Sequence, residues 1–174
     1  PEAATDAASM TPPVVEVSDA TFRGYVAALG LKRNLEHGHE VFRQACAVCH
    51  RVGQEGSDFG PDLLGELGVA EETLVRHLLL PNERIRPGFE TTIVEAKAGA
   101  PVVGLLKADG ATSVALRLPG GVDHTLLRKD IKAVRRLPGS LMPSIATTLS
   151  PADVADLLAW LRSQLRAPTT TPPP

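Results

Sequence analysis

Aromatic residues are scarce in this chain: one Trp, one Tyr and four Phe in 174 residues. So few rings leave room for a large apolar group supplied from outside the polypeptide. Cysteine is as rare, with only Cys46 and Cys49 in the sequence. If both serve one local motif, no disulfide remains, and compartment cannot be inferred from cysteine pairing. The formal net charge is −2, which gives no reason to expect nucleic acid or an anionic membrane surface as a partner. No apolar run approaches the roughly 20 residues needed to span a bilayer. A signal-peptide pattern is also lacking, and the chain opens on Pro1, so the expectation is a mature product or a piece of a longer one. The length suits one ordinary domain, or one with a sizeable insertion.

What is present is the run Cys46-Ala47-Val48-Cys49-His50. Two thiols three residues apart, followed at once by an imidazole, form the pattern for covalent attachment of a c-type haem. On a helical turn positions i and i+3 share a face, so both sulfurs can reach vinyl groups on neighbouring pyrroles. His50, four residues after Cys46, can then ligate the iron as a proximal histidine. Two other chemistries use such a pair. A structural zinc site needs four ligands, and only the scattered His37, His39, His77 and His124 could complete one. A thioredoxin-like disulfide needs a βαβ setting, and none precedes the motif. The reading is one haem c per chain, attached through Cys46 and Cys49, with a stray pair of thiols as the bland alternative.

Residues 1–13 are rich in Ala, Pro and Thr, and 167–174 in Pro and Thr; both read as extended linker. Ser18 or Asp19 can cap a helix over 20–30. Asn34 can cap a second, with Leu35, Val41, Phe42 and Ala45 as its apolar stripe, running straight into Cys46. A Gly-rich loop over 53–68 holds Gly60-Pro61-Asp62-Leu63, and a third helix fits 70–80 before Pro81. From Phe89 to about Val134 the runs 92–94, 102–106, 114–118 and 122–126 alternate with Gly, Pro and Asp turn residues. That pattern predicts a meander of four or five antiparallel strands. Helix returns at 151–166, with Ser150 as cap and Pro151 first, burying Leu157, Leu158, Trp160, Leu161 and Leu165. The expected division is a linker at 1–18, a helical part with the motif at 19–88, an antiparallel β insertion at 89–134, a second helical part at 135–166, and a tail at 167–174.

An iron held by one histidine leaves a sixth position. Met142, in Ser140-Leu141-Met142-Pro143, is the best donor for it: a soft, neutral thioether, with Pro143 stiffening the backbone beside it. The bland reading is a core gap-filler. The only other methionine, Met10, lies in the first tail. His37, His39, His77 and His124 read as surface or hydrogen-bonded residues, with His77 the fallback ligand.

Gly38, Phe42 and Cys46 at four-residue spacing, with Trp160 on the last helix, resemble a class I cytochrome c. The resemblance implies that the two helices cross, Gly38 allowing close approach while Phe42 and Trp160 pack at the contact. It also implies that the Pro61 carbonyl accepts a hydrogen bond from the His50 ring, fixing its orientation and basicity, and that Leu63 lies against the porphyrin. Further segments closely resemble the haem-binding domain at the C-terminal end of large bacterial membrane-associated dehydrogenase-like proteins. They are Leu80-Pro81-Asn82, Ile85-Arg86-Pro87-Gly88-Phe89-Glu90, Asp130-Ile131, Ser140-Leu141-Met142-Pro143 and Ala155-Asp156-Leu157-Leu158-Ala159-Trp160-Leu161, and the likeness covers about 35–166. One departure is the lack of the acidic residue often found before Pro81. The fold implied is a mainly α cytochrome c fold with a small antiparallel β insertion, α+β overall.

A six-coordinate His/Met haem has no open position, so the expected work is single-electron transfer, with no catalytic residue. The expected partners are a dehydrogenase domain or protein as donor and a downstream cytochrome or oxidase as acceptor. The expected location is periplasmic or extracytoplasmic, tethered through a parent chain. The rival is a haem enzyme or gas sensor in which Met142 is displaced. No acid/base pair is identifiable near Met142, and Glu55, Asp58, Glu71 and Glu72 read as solvated charges. The insertion reads as a cover for the haem side more than as a docking surface.

Overall fold

The computed structural model describes residues 15–165. The tail at 167–174 and most of the 1–18 linker, Met10 included, fall outside that range. Of the linker, residues 15–18 are described: they run without regular structure, and Val17 packs against the helical core.

Four α-helices form, three of them around side-chain caps. α1 spans Asp19–Ala28, and Ser18 Oγ accepts the Thr21 N–H at 3.1 Å. α2 spans Leu35–Val41, with Asn34 Oδ1 accepting the amides of Glu36 and His37. α3 spans Glu71–Leu79 and α4 Pro151–Gln164, the latter opened by a reciprocal capping box between Ser150 and Asp153. The side-chain caps of α1, α2 and α4 satisfy amides that the first turn leaves unpaired, whereas α3 starts after Ala70 without one. The second helix does not run unbroken into Cys46. At Phe42–Cys46 it widens into a π-helical turn, which adds one residue to the register just before the motif.

α2 and α4 cross at Gly38. A Cβ there would overlap the Asp156 carbonyl and come within 2.9 Å of Trp160 Cβ. The Phe42 and Trp160 rings meet 4.9 Å apart at this crossing, and His39 stacks on Trp160 at 4.6 Å. Around them Tyr25, Leu74, Val75, Leu79, Leu157 and Leu158 complete an apolar core.

The Gly-rich loop holds a small hairpin, β1 (Arg51–Val52) and β2 (Glu55–Gly56), and then a 3-10 turn over Leu63–Glu66. The insertion has the expected strand content but is wired differently from a simple meander. β3 (Thr91–Ala96), β4 (Val102–Asp109), β5 (Ser113–Leu118), β6 (Val122–Leu127) and β7 (Ile131–Arg136) form one antiparallel sheet in the order β6-β5-β4-β3-β7. The first four make a meander, but β7 returns to pair with β3. The physical reason lies in side chains. β6 is almost wholly exposed, whereas Ile131 and Val134 of β7 pack on the cluster of Val94, Val114 and Leu116. With its own apolar cluster and strands of six to eight residues, the sheet makes the fold mixed α+β. The mainly α expectation is corrected accordingly.

Candidate functional site

Beyond the π turn the chain reverses tightly. The Cys46 carbonyl accepts the Cys49 N–H at 3.0 Å and the His50 N–H at 2.8 Å. These i+3 and i+4 bonds keep helical spacing through the motif. Cys46, Cys49 and His50 thereby all reach the wall of one cavity of about 450 Å³, lined mainly by apolar side chains. That volume lies within the range of small-molecule and cofactor sites.

His50 Nδ1 donates to the Pro61 carbonyl at 2.8 Å. A carbonyl can only accept, so Nδ1 carries the proton and Nε2 keeps its lone pair. Gly60 lies flat against the ring, and a Cβ there would stand 2.6 Å from Cε1. Burial lowers the His50 pKa, offset in part by the Pro61 bond and the Glu66 charge, which favours the neutral ring. Neutral imidazole is the form that ligates a metal.

Both cysteines are free. Burial, with the neighbouring Cys49, pushes the Cys46 thiol up to about 11, and burial raises Cys49 as well. Thiols kept protonated are poor nucleophiles for disulfide exchange. Among the described residues no group of three or more His, Cys, Asp or Glu side chains is placed to hold a metal ion, which leaves the thiols without partners for a zinc site.

Pro61 and Leu63 line the same cavity, and so does Met142. The Met142 segment is fastened at several points. Its N–H donates to Ser140 Oγ at 3.0 Å, and the Ser140 N–H to Asn82 Oδ1 at 2.8 Å. Thr91 Oγ1 donates to the Gly139 carbonyl at 2.7 Å, and Ser144 Oγ to the Leu79 carbonyl at 2.6 Å. Sequence reasoning misses Asn82, Thr91 and Ser144 as fasteners. Asn82 does fall in one of the segments that carry the resemblance, Leu80-Pro81-Asn82. His77 also reaches the wall. His37 and His39 lie elsewhere, bonded to Asp156 and Glu55, and His124 is exposed on β6.

The insertion contributes Phe89 and Leu105 to the cavity, so it is part of the site's wall. Three of the four carboxylates expected to be merely solvated are engaged. Glu71 pairs with Arg33 at 2.7 Å, Asp58 with Arg117 at 2.6 Å, and Glu55 with His39 at 2.7 Å; only Glu72 stands free on the helix start.

The donor set suits a haem: two thiols, an imidazole with an available Nε2, a thioether, an apolar wall, and Arg84 and Arg86 on the same wall for acidic groups. A family model described as cytochrome c oxidase, cbb3-type, subunit III matches residues 33–101. The match supports a c-type cytochrome domain; it takes in the attachment motif and stops short of Met142 and Trp160. No curated protein matches the chain. No helix among the described residues is long and apolar enough to cross a membrane.

Proposed function

We propose that this chain is a monohaem c-type cytochrome domain that passes single electrons, with haem c bound through Cys46 and Cys49 and its iron ligated by His50 and Met142. The observation that carries the reading is the convergence of these four side chains on one apolar cavity. When bound, the haem supplies a one-electron couple at its iron. The chain's own residues then do three things. Pro61 and Gly60 fix the His50 tautomer and ring plane. The Ser140 and Ser144 bonds hold the Met142 segment at the cavity. The leucine-rich wall excludes water, which favours the less charged, reduced state. The donor is a dehydrogenase domain or protein, the acceptor a cytochrome or oxidase, and the setting periplasmic or otherwise extracytoplasmic.

A haem enzyme that activates its substrate needs a free acid or base beside an open iron position, and a gas sensor needs the open position alone. Glu66 is the carboxylate on the wall, and its Oε1 stands 2.7 Å from an Arg86 nitrogen as an ion pair. His77 is then the side chain of the cavity left to serve as acid or base, and Met142 supplies the thioether that closes the open position either activity needs.

The test is intact mass and optical spectrum of protein matured with haem-attachment machinery. The expected result is the added mass of one haem, a sharp reduced α band and a far-red sulfur-to-iron band when oxidised. Cys46→Ala with Cys49→Ala loses the mass, while Met142→Ala keeps it, loses the far-red band and binds carbon monoxide rapidly. Colourless protein of bare polypeptide mass sinks the haem; a far-red band surviving in Met142→Ala sinks the sixth ligand.

A further inference from the structure

The insertion reaches the attachment motif directly. Arg117 in β5 grips Asp123 of β6 through Nε and Nη2 at 2.6 and 2.8 Å, and its Nη1 crosses to Asp58 at 2.6 Å. Although it carries a full charge, its side chain is only 17% exposed. The turn that follows makes a second attachment, in which the Gly120 N–H donates to the Val48 carbonyl at 3.2 Å. Gly121 takes φ +79°, and a Cβ there would stand 2.9 Å from Asp58 Oδ1, so the turn lies close against that carboxylate.

These two anchors straddle the histidine. Val48 lies inside the motif, two residues before His50. Asp58 opens the segment Asp58-Phe59-Gly60-Pro61, whose Phe59 is buried on the cavity wall and whose Pro61 carbonyl accepts the hydrogen bond from His50 Nδ1. Ser57 N–H to Ala47 O at 3.0 Å and Gly60 N–H to Cys49 O at 2.5 Å tie the two strips to each other. The β5–β6 hairpin closes the outside of that loop.

We propose that Arg117 is a positioning residue: through Asp58 it clamps the Phe59–Pro61 segment against the His50 ring, so that the strand insertion holds the proximal ligand of the haem. The proposal rests on the reading of His50 as that ligand. Bidentate and bridging guanidinium contacts of this kind are rigid in a way a lysine cannot reproduce.

The test uses the reduced holoprotein and follows exchange of the His50 Nδ1 proton with deuterium by NMR. Arg117→Gln and Asp58→Asn remove opposite charges but break the same clamp. Both are expected to speed exchange by about fivefold or more, by similar factors, and the double variant by no more than either alone. Arg117→Lys should fall between. Should one variant fail to mature, Gly121→Ala, which presses a methyl on Asp58, reads the same clamp. Exchange within twofold of the parent in a normally coloured Asp58→Asn, with reduction potentials moving in opposite senses for the two charge changes, overturns the proposal and leaves a plain Coulombic effect. A colourless parent chain overturns the haem reading itself.

Discussion

Ser144 Oγ donates to the carbonyl of Leu79 at 2.6 Å inside the core, joining the segment that carries Met142 to the last turn of α3. Ser144 is buried, with 7% of the residue exposed. Loss of the donor leaves a buried carbonyl unpaired, which costs about 1–3 kcal/mol. Ser144→Ala should therefore lower the denaturant midpoint with an unchanged slope. A loss below about 0.5 kcal/mol would mean the segment is held by its other bonds alone.

Gly60 makes a sharper prediction about the histidine. A methyl there has nowhere to go: it would stand 2.6 Å from Cε1 and 2.7 Å from Nδ1 of His50. Gly60→Ala should displace the ring and weaken its bond to Pro61, at a cost of about 1–3 kcal/mol from overpacking. Haem incorporation should fall with it. Gly24→Ala is the control, since Gly24 lies on α1 outside the cavity lining and no atom stands within 4 Å of a Cβ there. If both variants incorporate haem equally, the tight seat of His50 is irrelevant to attachment.

What the sequence makes legible here is mostly local. Ser18, Asn34 and Ser150 can be read as caps because a cap needs only amides two or three residues ahead. The attachment motif is equally local. Gly38, Phe42 and Trp160 become legible through resemblance, and the crossing at Gly38 has that form. Strand pairing is another matter. The β content of 89–134 is readable from its runs, but nothing nearby says that β7 passes over β6 to join β3. That choice depends on which edge offers apolar neighbours to Ile131 and Val134. The Arg117–Asp58 bridge joins residues 59 apart, and the Asn82 bond to Ser140 spans 58. Neither leaves a trace in periodicity.

Two glycines on helices should respond to alanine with opposite signs. At Gly38 the added Cβ would overlap the Asp156 backbone, so α2 and α4 must separate and the Phe42–Trp160 contact opens. Gly38→Ala should cost about 3 kcal/mol or more, the upper end for an overpacked contact. Gly24 sits in the exposed middle of α1 with nothing within 4 Å of a Cβ. Gly24→Ala should stabilise by about 0.5–1 kcal/mol through helix propensity alone. Thermal melts of the pair decide the matter; equal shifts would contradict the close crossing.

The acid limb of stability should pass through Glu71. Arg33 donates to both its oxygens, at 2.8 and 2.7 Å, and Arg162 lies 3.4 Å away, tying the start of α3 to the connection between α1 and α2 and to α4. The Arg33 hydrogen bonds hold the Glu71 carboxyl below its ordinary 4.5, against a smaller opposing effect of burial. A carboxylate depressed in the folded state contributes stability above its unfolded value and loses it as pH falls through the folded one. The contribution is therefore intact at neutral pH and fades on acidification below 4.5. With the pair 22% and 23% exposed, solvent screening limits it to about 1 kcal/mol. Glu71→Gln should cost that much at neutral pH and nothing once the parent's carboxyl is protonated, so the two stability curves converge in acid. Parallel curves down to about pH 2 would place the acid sensitivity on other carboxylates.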